Sequence, residues 1–402
     1  MSLGLKVYLF EKEVGVLKQV KDNFVFEYSD AYLQDETAIA ISVSLPLSKD
    51  TSIKNSKTFF AALLPESKIR AALAKKHNIS EENDFALLNK LGGECAGAIR
   101  IGEKNLEAFP RKEISEAKLY EYFTNQDRQS LMSHQGERRI SLAGVQEKIV
   151  VLREGESLYF PASDELSSHI IKPEISGYKG SAHNEYFCMR LAHTIGLSAA
   201  MVDLKFAQDK PYLLVRRYDR DGQKRLHQED FTQALATSFK YQNESPDDLG
   251  FKDCFKLIKE CSSAAAYDQK RFIELLIFNF LIGNDDAHLK NFSFLYRDSG
   301  RHVELAPCYD LLATGVYSDL KPEMAMKIGA EYQFRRLRPS DWEILIQDLG
   351  IKETYFKALA KNVYERTLNF AQQLSKDLEP KHEVYDAIIE QMKLRSQFIY
   401  FE

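Results

Sequence analysis

The sequence predicts an α+β fold in which a β-rich half is followed by a helical half. Apolar and polar residues alternate at residues 5–10 and 24–28, which is typical of strands with one buried face. After His227 the apolar residues recur mainly at helical spacing, and the longest such pattern covers residues 353–374. With 402 residues, 44% of them hydrophobic, the chain is long enough for one large bilobal unit or for two to three domains. We therefore predict one lobe of strands and one of helices.

The first 110 residues predict a small module of strands followed by two helices. The first helix, over residues 59–73, contains Pro65 in its interior. The second, over residues 84–91, stops at Gly92-Gly93, a glycine signal that commonly ends helices. A helix-bearing connector follows over residues 112–127. The predicted strands of the module are residues 5–10, 14–17, 24–28 and 38–45, the last of which stops at Pro46.

The rest of the chain predicts a mixed segment and then a run of helices. Strands are predicted at residues 148–152, 168–172 and 212–218, with a helix at 184–195. The later helices are predicted at residues 230–237, 252–261, 269–282, 340–349, 353–374 and 384–398. We therefore divide the chain into an N-terminal module at 1–110, the remainder of the β-rich lobe at 111–228, and a helical lobe at 229–402.

Charge and composition exclude several other classes of protein. The net charge of -5, from 54 basic and 59 acidic residues, gives no strongly basic surface, so nucleic-acid binding by the whole surface is not expected, although a local basic patch stays open. The five cysteines form no CxxC pair, which predicts neither a zinc site nor a disulfide framework and favours a reducing cytosol. The opening residues lack a signal-peptide pattern, and the most apolar stretch, residues 272–282, is too short to span a bilayer. We expect a cytoplasmic protein in which this stretch is a buried helix.

Residues 284–291, with the sequence Asn-Asp-Asp-Ala-His-Leu-Lys-Asn, carry the strongest functional signal. Four residues separate Asp286 from Asn291, and Asp310 follows later after a tyrosine. Protein kinases need one carboxylate at the acceptor hydroxyl, and an amide and a second carboxylate on magnesium. The group predicts a kinase catalytic loop. It makes the predicted architecture a bilobal protein-kinase-like fold, with a β-rich N-terminal lobe, an added small N-terminal module and an all-helical C-terminal lobe.

An Asp and an Asn at this spacing also occur by chance, in a polar turn that follows a buried helix. The order of elements favours catalysis. A helix, a loop, a predicted strand at residues 292–296, a second at 303–305 and then Asp310 follow one another as they do in kinases. Asp285 directly precedes Asp286, so the residue that acts on the acceptor hydroxyl is ambiguous by one position. The spacing to Asn291 favours Asp286.

Lys172 is a candidate for binding ATP phosphates. It ends the apolar run Ile170-Ile171 and precedes Pro173. A lysine at the end of a core strand can direct its ammonium group at phosphates, as the small-lobe lysine of kinases does, and Glu185 could pair with it. The alternative is a lysine that extends from a strand end into solvent.

Two further segments suit a nucleotide site. Residues 141–148 combine small side chains with Gly144, so backbone N–H groups could approach phosphates, although the segment matches neither common glycine-rich phosphate motif and could be an ordinary turn. Residues 229–231 lie where strands give way to helices, which is the place of the adenine-binding hinge in a kinase. Asp230 could equally be a helix N-cap, and both interpretations can hold.

Read in order, these motifs resemble those of the HipA toxins, the serine/threonine kinases of bacterial HipBA-type toxin–antitoxin pairs. The resemblance covers nearly the whole chain, and the motifs in this order are far more specific than any one of them. The segments that carry it are residues 43–47, 60–66, 83–85, 97–99, 140–148, 170–173, 184–185, 215–220, 227–230, 286–293 and 309–310.

The resemblance implies a role for each matching position. It implies Asp286 as the catalytic residue and Asn291 and Asp310 as magnesium ligands. It implies ATP and Mg²⁺ as cofactors. The implied ATP-binding residues are Gly144, Val145, Gln146, Glu147 and Lys148 in the phosphate-binding loop, Lys172 on the phosphates, Glu229 and Phe231 at the hinge, and His288.

Ser141 matches the serine that family members autophosphorylate, which ejects the phosphate-binding loop and silences the kinase. A phosphoserine, with a charge of roughly -1.5 to -2, cannot share the site with ATP phosphates and would prefer basic partners. Arg138 and Arg139 lie close by in sequence. The chain departs from the family pattern in having Ala287 where glycine is common and in the added charge of Asp285, and neither change removes a needed group.

The resemblance also implies partners. These are a small helix-turn-helix antitoxin similar to HipB, operator DNA contacted mainly through that antitoxin, and a protein substrate of the aminoacyl-tRNA synthetase class. Two other functions stay open: a catalytically quiet co-repressor that binds the antitoxin, and a kinase for a small molecule or lipid. The intact set of Asp286, Asn291, Asp310 and Lys172 argues against the first, while the atypical phosphate loop leaves the acceptor undefined.

Overall fold

The computed structural model describes residues 4–21, 23–50, 52–102, 109–124, 146–163 and 165–399. Ser141, Gly144, Val145, Arg138 and Arg139 therefore lie outside the described residues. The described helices are α1 (Asp30–Leu33), α2 (Ile53–Ala61), α3 (Ser67–Lys76), α4 (Asp84–Leu91), α5 (Glu116–Thr124), α6 (Ser181–Thr194), α7 (Phe231–Ala234), α8 (Phe251–Cys261), α9 (Ala265–Ile282), α10 (Pro339–Leu349), α11 (Glu353–Asp377) and α12 (Glu383–Ser396). The described strands are β1 (Gly4–Leu9), β2 (Lys12–Val20), β3 (Asn23–Tyr28), β4 (Ile99–Ile101), β5 (Lys112–Glu113), β6 (Ile149–Glu154), β7 (Ser157–Phe160), β8 (His169–Pro173), β9 (Val202–Ala207), β10 (Lys210–Arg216), β11 (Arg220–Asp221), β12 (Lys224–Arg225), β13 (His227–Asp230), β14 (Ser293–Arg297) and β15 (His302–Leu305).

The chain divides into two compact units, each assembled from three segments of sequence. The first comprises Met1–Pro173, Lys205–Ser238 and Leu295–His302, and the second comprises Glu174–Leu204, Phe239–Phe294 and Val303–Glu402. Strands and helices are both abundant, as the predicted α+β class requires. Residues 229–402 carry the short strands β14 and β15 in addition to their helices. The division at residues 110 and 228 that we inferred from the sequence stays a prediction.

An antiparallel sheet with the order β3-β2-β1-β4 begins the first unit. The single helix predicted over residues 59–73 is wrong, because α2 ends at Ala61 and α3 begins at Ser67. Pro65 lies between them and has no backbone N–H to donate, and its ring would clash with the preceding turn. The proline therefore separates two helices instead of lying inside one. The helix predicted over residues 84–91 is confirmed as α4.

The strand predicted over residues 38–45 is also wrong. In the described structure this segment is a loop with one isolated bridge, between Ser42 and Leu45. The Tyr28 hydroxyl donates to the Leu45 carbonyl oxygen at 2.7 Å and accepts from the Ile41 backbone N–H at 2.9 Å. Side-chain hydrogen bonds thus satisfy backbone groups that a strand would have given to a neighbouring strand.

A second antiparallel sheet of the first unit contains β5, β7, β6, β8 and β10 in that order. Lys172 lies on β8 opposite Leu213 of β10, and Ile171 beside it is opposite Ile149 of β6. Lys172 is only 6% exposed, because strands flank β8 on both sides. This burial favours an internal role for the ammonium group over a lysine that extends into solvent.

A buried ionic network joins residues near the end of the N-terminal module to residues that follow β10. The Arg217 guanidinium donates to Asp219 at 2.9 and 2.7 Å and to Glu94 at 3.1 Å. Arg220 donates to Glu94 at 3.2 Å, and the Gly97 backbone N–H donates to Asp219 at 2.7 Å. Burial alone would raise the pKa of Glu94, but the neighbouring arginines lower it to about 2. The network therefore holds both carboxylates ionised inside the first unit.

Helix α9 lies at the centre of the second unit, where α8, α11 and α12 pack against it. It confirms the buried helix predicted over residues 269–282 and begins four residues earlier, at Ala265. The Trp342 indole N–H of α10 donates to the Phe398 carbonyl oxygen at 2.7 Å, so this tryptophan belongs to the core of the unit. Among the described helices, none combines the length and the apolar character needed to cross a membrane.

Candidate active site

The predicted catalytic loop begins where α9 ends. Gly283 has a φ of +76°, a left-handed conformation that turns the chain out of the helix. The Asn284 side-chain amide donates to Asn279 Oδ1 at 2.9 Å and to the Asp310 backbone oxygen at 3.4 Å. The first residue of the loop is therefore connected to both the end of α9 and Asp310, although 26 residues separate Asn284 from Asp310.

Tyr309 connects the two segments that carry the predicted magnesium ligands. Its hydroxyl donates to the Lys290 carbonyl oxygen at 2.7 Å and lies 2.6 Å from the Ser293 Oγ. Tyr309 directly precedes Asp310, and Lys290 directly precedes Asn291. The hydroxyl thus holds Asn291 and Asp310 on adjacent segments of the second unit.

Asn291 and Asp310 have features that suit a cation. Asp310 has a φ of +54°, a left-handed conformation that is strained for a non-glycine residue and that tends to occur at functional sites. The Oδ1 of Asn291 is buried and accepts no hydrogen bond from the described part of the chain. An amide oxygen and a carboxylate are hard ligands that fit Mg²⁺, which commonly keeps waters and substrate phosphate oxygens in its other positions. Within the ranges that the structure describes, no three or more His, Cys, Asp or Glu residues cluster as a metal site.

Asp285 and Asp286 are neighbours in very different surroundings. Asp285 is 7% exposed and accepts two hydrogen bonds from the Arg395 guanidinium of α12, at 2.8 and 2.7 Å. Burial raises the pKa of the Asp285 carboxyl, and the Arg395 guanidinium acts in the opposite direction. Asp286 is exposed, and its Oδ1 accepts a hydrogen bond from the Tyr241 hydroxyl at 2.6 Å. Only Asp286 presents its carboxylate to solvent, so the geometry favours Asp286 over Asp285 as the residue that meets an acceptor hydroxyl.

Asn184, a residue of α6, supports the chain after Asp310. Its amide donates to the Ala313 carbonyl oxygen at 3.0 Å, and its Oδ1 accepts the Ala313 backbone N–H at 2.8 Å. This paired contact accounts for a fully buried asparagine in a helix. Lys172 belongs to the first unit and Glu185 to the second, so the pairing we proposed between them stays a prediction.

The described end of the predicted phosphate-binding loop lies beside the strand of Lys172. The Gln146 side-chain amide donates to the Pro173 carbonyl oxygen at 3.2 Å, one residue beyond Lys172. Gln146, Glu147 and Lys148 are partly exposed and lead directly into β6. These residues therefore lead into β6, the strand that pairs with β8, on which the buried Lys172 lies.

Glu229 and Phe231, the predicted hinge residues, are both fully buried. The Glu229 carboxylate accepts the Val43 backbone N–H at 2.9 Å and hydrogen bonds from the Ser42 and Tyr296 hydroxyls. Its side chain thus holds the loop of the N-terminal module, and any contact with adenine would have to come from backbone groups. The alternative role of Asp230 is confirmed, because its side chain caps α7 by accepting the Gln233 backbone N–H at 3.0 Å in a capping box.

The buried Glu229 carboxylate predicts a specific dependence of stability on pH. Burial raises its pKa from 4.5 to about 7. The folded chain therefore retains a proton on Glu229 that the unfolded chain loses above pH 4.5. This contribution to stability is complete below the unfolded pKa and is lost as pH rises to about 7, with a total change on the order of 3 kcal/mol.

Replacement of Glu229 by glutamine is expected to remove this decrease of stability with rising pH. Urea unfolding should be followed from about pH 4.5 to about pH 7.5 for the wild type, Glu229→Gln and Glu36→Gln, an exposed glutamate of the same unit. The stability of wild type and Glu36→Gln should decline relative to Glu229→Gln as pH rises. Equal slopes for all three proteins would show that Glu229 does not titrate in this range.

Three residues that complete the site received no role from the sequence. Tyr309 was part of the matching segment 309–310, but Tyr241 and Arg395 belong to none of the motifs, and Arg395 lies 110 residues from the aspartate that it contacts. Tyr309 directly precedes Asp310, a predicted magnesium ligand, and this position was its only sequence signal of a role in the site. Tyr241 lies 45 residues before Asp286, within a short segment that has no strong helix or strand pattern.

The fold and the site together define a protein of the kinase-like class, and comparison with known proteins narrows this class to a family. Residues 5–102 match the family model described as the HipA N-terminal domain, and residues 140–371 match the HipA-like C-terminal domain. The chain belongs to the HipA family. The resemblance inferred from the motifs and the α+β kinase-like fold are thereby confirmed.

Individual relatives agree with this assignment. The serine/threonine-protein kinase toxin HipA of Shewanella oneidensis is 30% identical over 372 residues, which are 87% of this chain and 84% of the toxin. Y4mE of Sinorhizobium fredii, named provisionally as a kinase, is 38% identical over 397 residues, covering 95% of this chain and 93% of that protein. A solved complex of Shewanella oneidensis HipA with HipB and its operator DNA superimposes with a TM-score of 0.83 at 26% identity, over 97% of this chain and 95% of that one. The chain is a HipA-like kinase by these relationships.

Proposed function

We propose that this chain is an ATP- and Mg²⁺-dependent serine/threonine protein kinase that acts as the toxin of a type II toxin–antitoxin pair. The observation that carries the proposal is the loop in which Asp286 is exposed while Tyr309 holds Asn291 and Asp310 on adjacent segments. These are the groups that phosphoryl transfer requires from a protein. The proposed action as a toxin is supported by the relatives, one of which is named a serine/threonine-protein kinase toxin.

Each residue has a distinct task in the proposed reaction. Asp286 accepts a hydrogen bond from the acceptor hydroxyl and orients it for attack, while Asn291 and Asp310 hold the metal. Mg²⁺, when bound, neutralises charge on the transferring phosphoryl group. Lys172 contributes a positive charge from β8, and the backbone of Gly144 to Lys148 contacts the phosphates. Glu229 and Phe231 contribute backbone groups to adenine, and His288 borders the nucleotide.

The proposed regulation and partners follow from the family. Ser141 would be autophosphorylated and, once modified, would be incompatible with ATP phosphates in the same loop. A small helix-turn-helix antitoxin similar to HipB would bind the chain and contact operator DNA, as the composition of the Shewanella oneidensis complex suggests. The protein substrate would be a component of translation, of the aminoacyl-tRNA synthetase class.

The decisive experiment is transfer of phosphate from labelled ATP by the purified chain in the presence of magnesium. The wild type is expected to label itself. Asp286→Asn should reduce this labelling at least about 100-fold, because an amide cannot replace the carboxylate at the acceptor hydroxyl. Ser141→Ala should remove the main labelled site but retain transfer to an added protein substrate. Chelation of magnesium should abolish labelling in every variant.

A matched control is Asp319→Asn, which alters another exposed carboxylate of the second unit and should label as the wild type does. Equal labelling by wild type and Asp286→Asn would contradict the kinase proposal. Absence of labelling in the wild type, together with binding of the antitoxin, would favour the quiet co-repressor. Transfer to a small molecule or lipid but to no protein would show that the chain is a small-molecule or lipid kinase and not a protein kinase.

A further inference from the structure

The Tyr241 hydroxyl makes the one side-chain hydrogen bond that Asp286 receives from the described residues. The bond runs from the phenol to Asp286 Oδ1 and is 2.6 Å long, as expected for a hydroxyl that donates to a carboxylate. The other oxygen, Oδ2, accepts no hydrogen bond from the described part of the chain. One oxygen of the carboxylate is therefore fixed, and the other is available to an acceptor hydroxyl.

The backbone on both sides of Tyr241 is attached to the catalytic loop. The Lys240 carbonyl oxygen accepts the Leu289 backbone N–H at 3.1 Å. The Gln242 backbone N–H donates to the Ala325 carbonyl oxygen at 3.0 Å, and Ala325 in turn donates to the Asp285 carbonyl oxygen at 2.8 Å. These bonds hold the tyrosine to residues directly before and shortly after Asp286.

The tyrosine is further fixed by its neighbours. Its ring meets His288 edge to face, with the ring centroids 5.2 Å apart and the planes at 81°. The adjacent Gln242 side chain is buried, accepts the Lys327 backbone N–H at 3.0 Å and donates to the Asp248 carbonyl oxygen at 3.0 Å. These contacts limit the movement of the Tyr241 ring and of the backbone that carries it.

We propose that Tyr241 is a positioning residue for Asp286. Its hydroxyl restrains the carboxylate so that Oδ2 faces the acceptor, and it acts through Asp286 without contacting ATP or the acceptor. Because a side chain that rotates freely in solvent spends little time in the reactive orientation, the restraint lowers the cost of reaching the transition state. The inference rests on the proposed catalytic role of Asp286.

Tyr241→Phe tests the inference because phenylalanine keeps the ring against His288 and removes only the hydroxyl. The variant is expected to lose about 10–100-fold in kcat, the equivalent of one hydrogen bond to a charged group. The KM for ATP should stay within about twofold of the wild type, because the hydroxyl is not proposed to touch the nucleotide. Transfer to a protein or peptide acceptor should be measured as a function of ATP concentration, with Tyr355→Phe, an exposed tyrosine of the same unit, as the matched control.

A double replacement separates positioning from a general structural role. In an Asp286→Asn background, Tyr241→Phe should have no further effect on the residual rate, because the residue through which it acts is gone. An unchanged kcat for Tyr241→Phe, or an equal loss in both backgrounds, would overturn the inference. Failure of the proposed function would look different, since Asp286→Asn would then transfer phosphate as well as the wild type does.

Discussion

Replacement of Arg395 by methionine is expected to lower the free energy of unfolding by about 3–5 kcal/mol, the usual cost of removing one partner from a buried ion pair. Arg395 is fully buried and donates two hydrogen bonds to the Asp285 carboxylate. Its guanidinium also lies 4.0 Å from the centroid of the Phe334 ring. Methionine retains much of the side-chain volume but leaves the Asp285 carboxylate buried without its cation.

The measurement is urea unfolding of wild type, Arg395→Met, Asp285→Asn and the double variant. The double variant is expected to recover most of the stability lost by Arg395→Met, because a neutral asparagine no longer requires a guanidinium. If the effects of the two single replacements add in the double variant, the ion pair is not what stabilises this region. On the proposed function, phosphate transfer should also fall in Arg395→Met, because Asp285 would lose the two hydrogen bonds that hold it and directly precedes Asp286.

Arg217→Met is the second replacement with a large expected effect, again about 3–5 kcal/mol. Arg217 is 3% exposed and bonds to Asp219, to Glu94 and to the Ser167 hydroxyl, the last at 2.9 Å. Without Arg217, the Arg220 guanidinium would still lie 3.0 Å from the Asp219 carboxylate and 3.2 Å from the Glu94 carboxylate. One guanidinium cannot supply the hydrogen bonds that two provide, so an unsatisfied charge would be left in the core of the first unit.

Arg216→Met is the matched control, because Arg216 is the neighbouring residue on β10 and is exposed. Limited proteolysis and urea unfolding of the two variants should be compared at neutral pH. Arg217→Met should unfold at a clearly lower urea concentration and expose cleavage sites in the first unit, while Arg216→Met should match the wild type. Indistinguishable midpoints for both variants would contradict a structural role for the network.

The sequence was most informative where function depends on neighbours along the chain. Asp286 and Asn291 share one loop, and the apolar pattern before it predicted the helix that became α9. The pattern was misleading where local propensity competes with side-chain contacts. Residues 38–45 are apolar enough for a strand, yet the Tyr28 hydroxyl bonds to their backbone and holds them as a loop. The spacing of apolar residues along the chain does not reveal such a side-chain contact.

The residues that support the site could not be predicted for a related reason. Glu229 was assigned to a hinge from its place between strands and helices, but its carboxylate bonds to Val43, a residue 186 positions earlier. Tyr241 reaches Asp286 across 45 residues. Hydrogen bonds between residues so far apart in sequence form only when the units fold. Neither the composition of the chain nor the spacing of its residues therefore predicts them.

The contact between Arg395 and Asp285 also has a consequence for synthesis of the protein. A ribosome that has added Asp285 must add 110 further residues before the chain contains Arg395, the cation that pairs with it. A growing or prematurely ended chain that lacks α12 would carry Asp286, Asn291 and Asp310 but would leave the charge beside them uncompensated. Abortive translation products of this chain would therefore fold poorly around the loop that carries these residues.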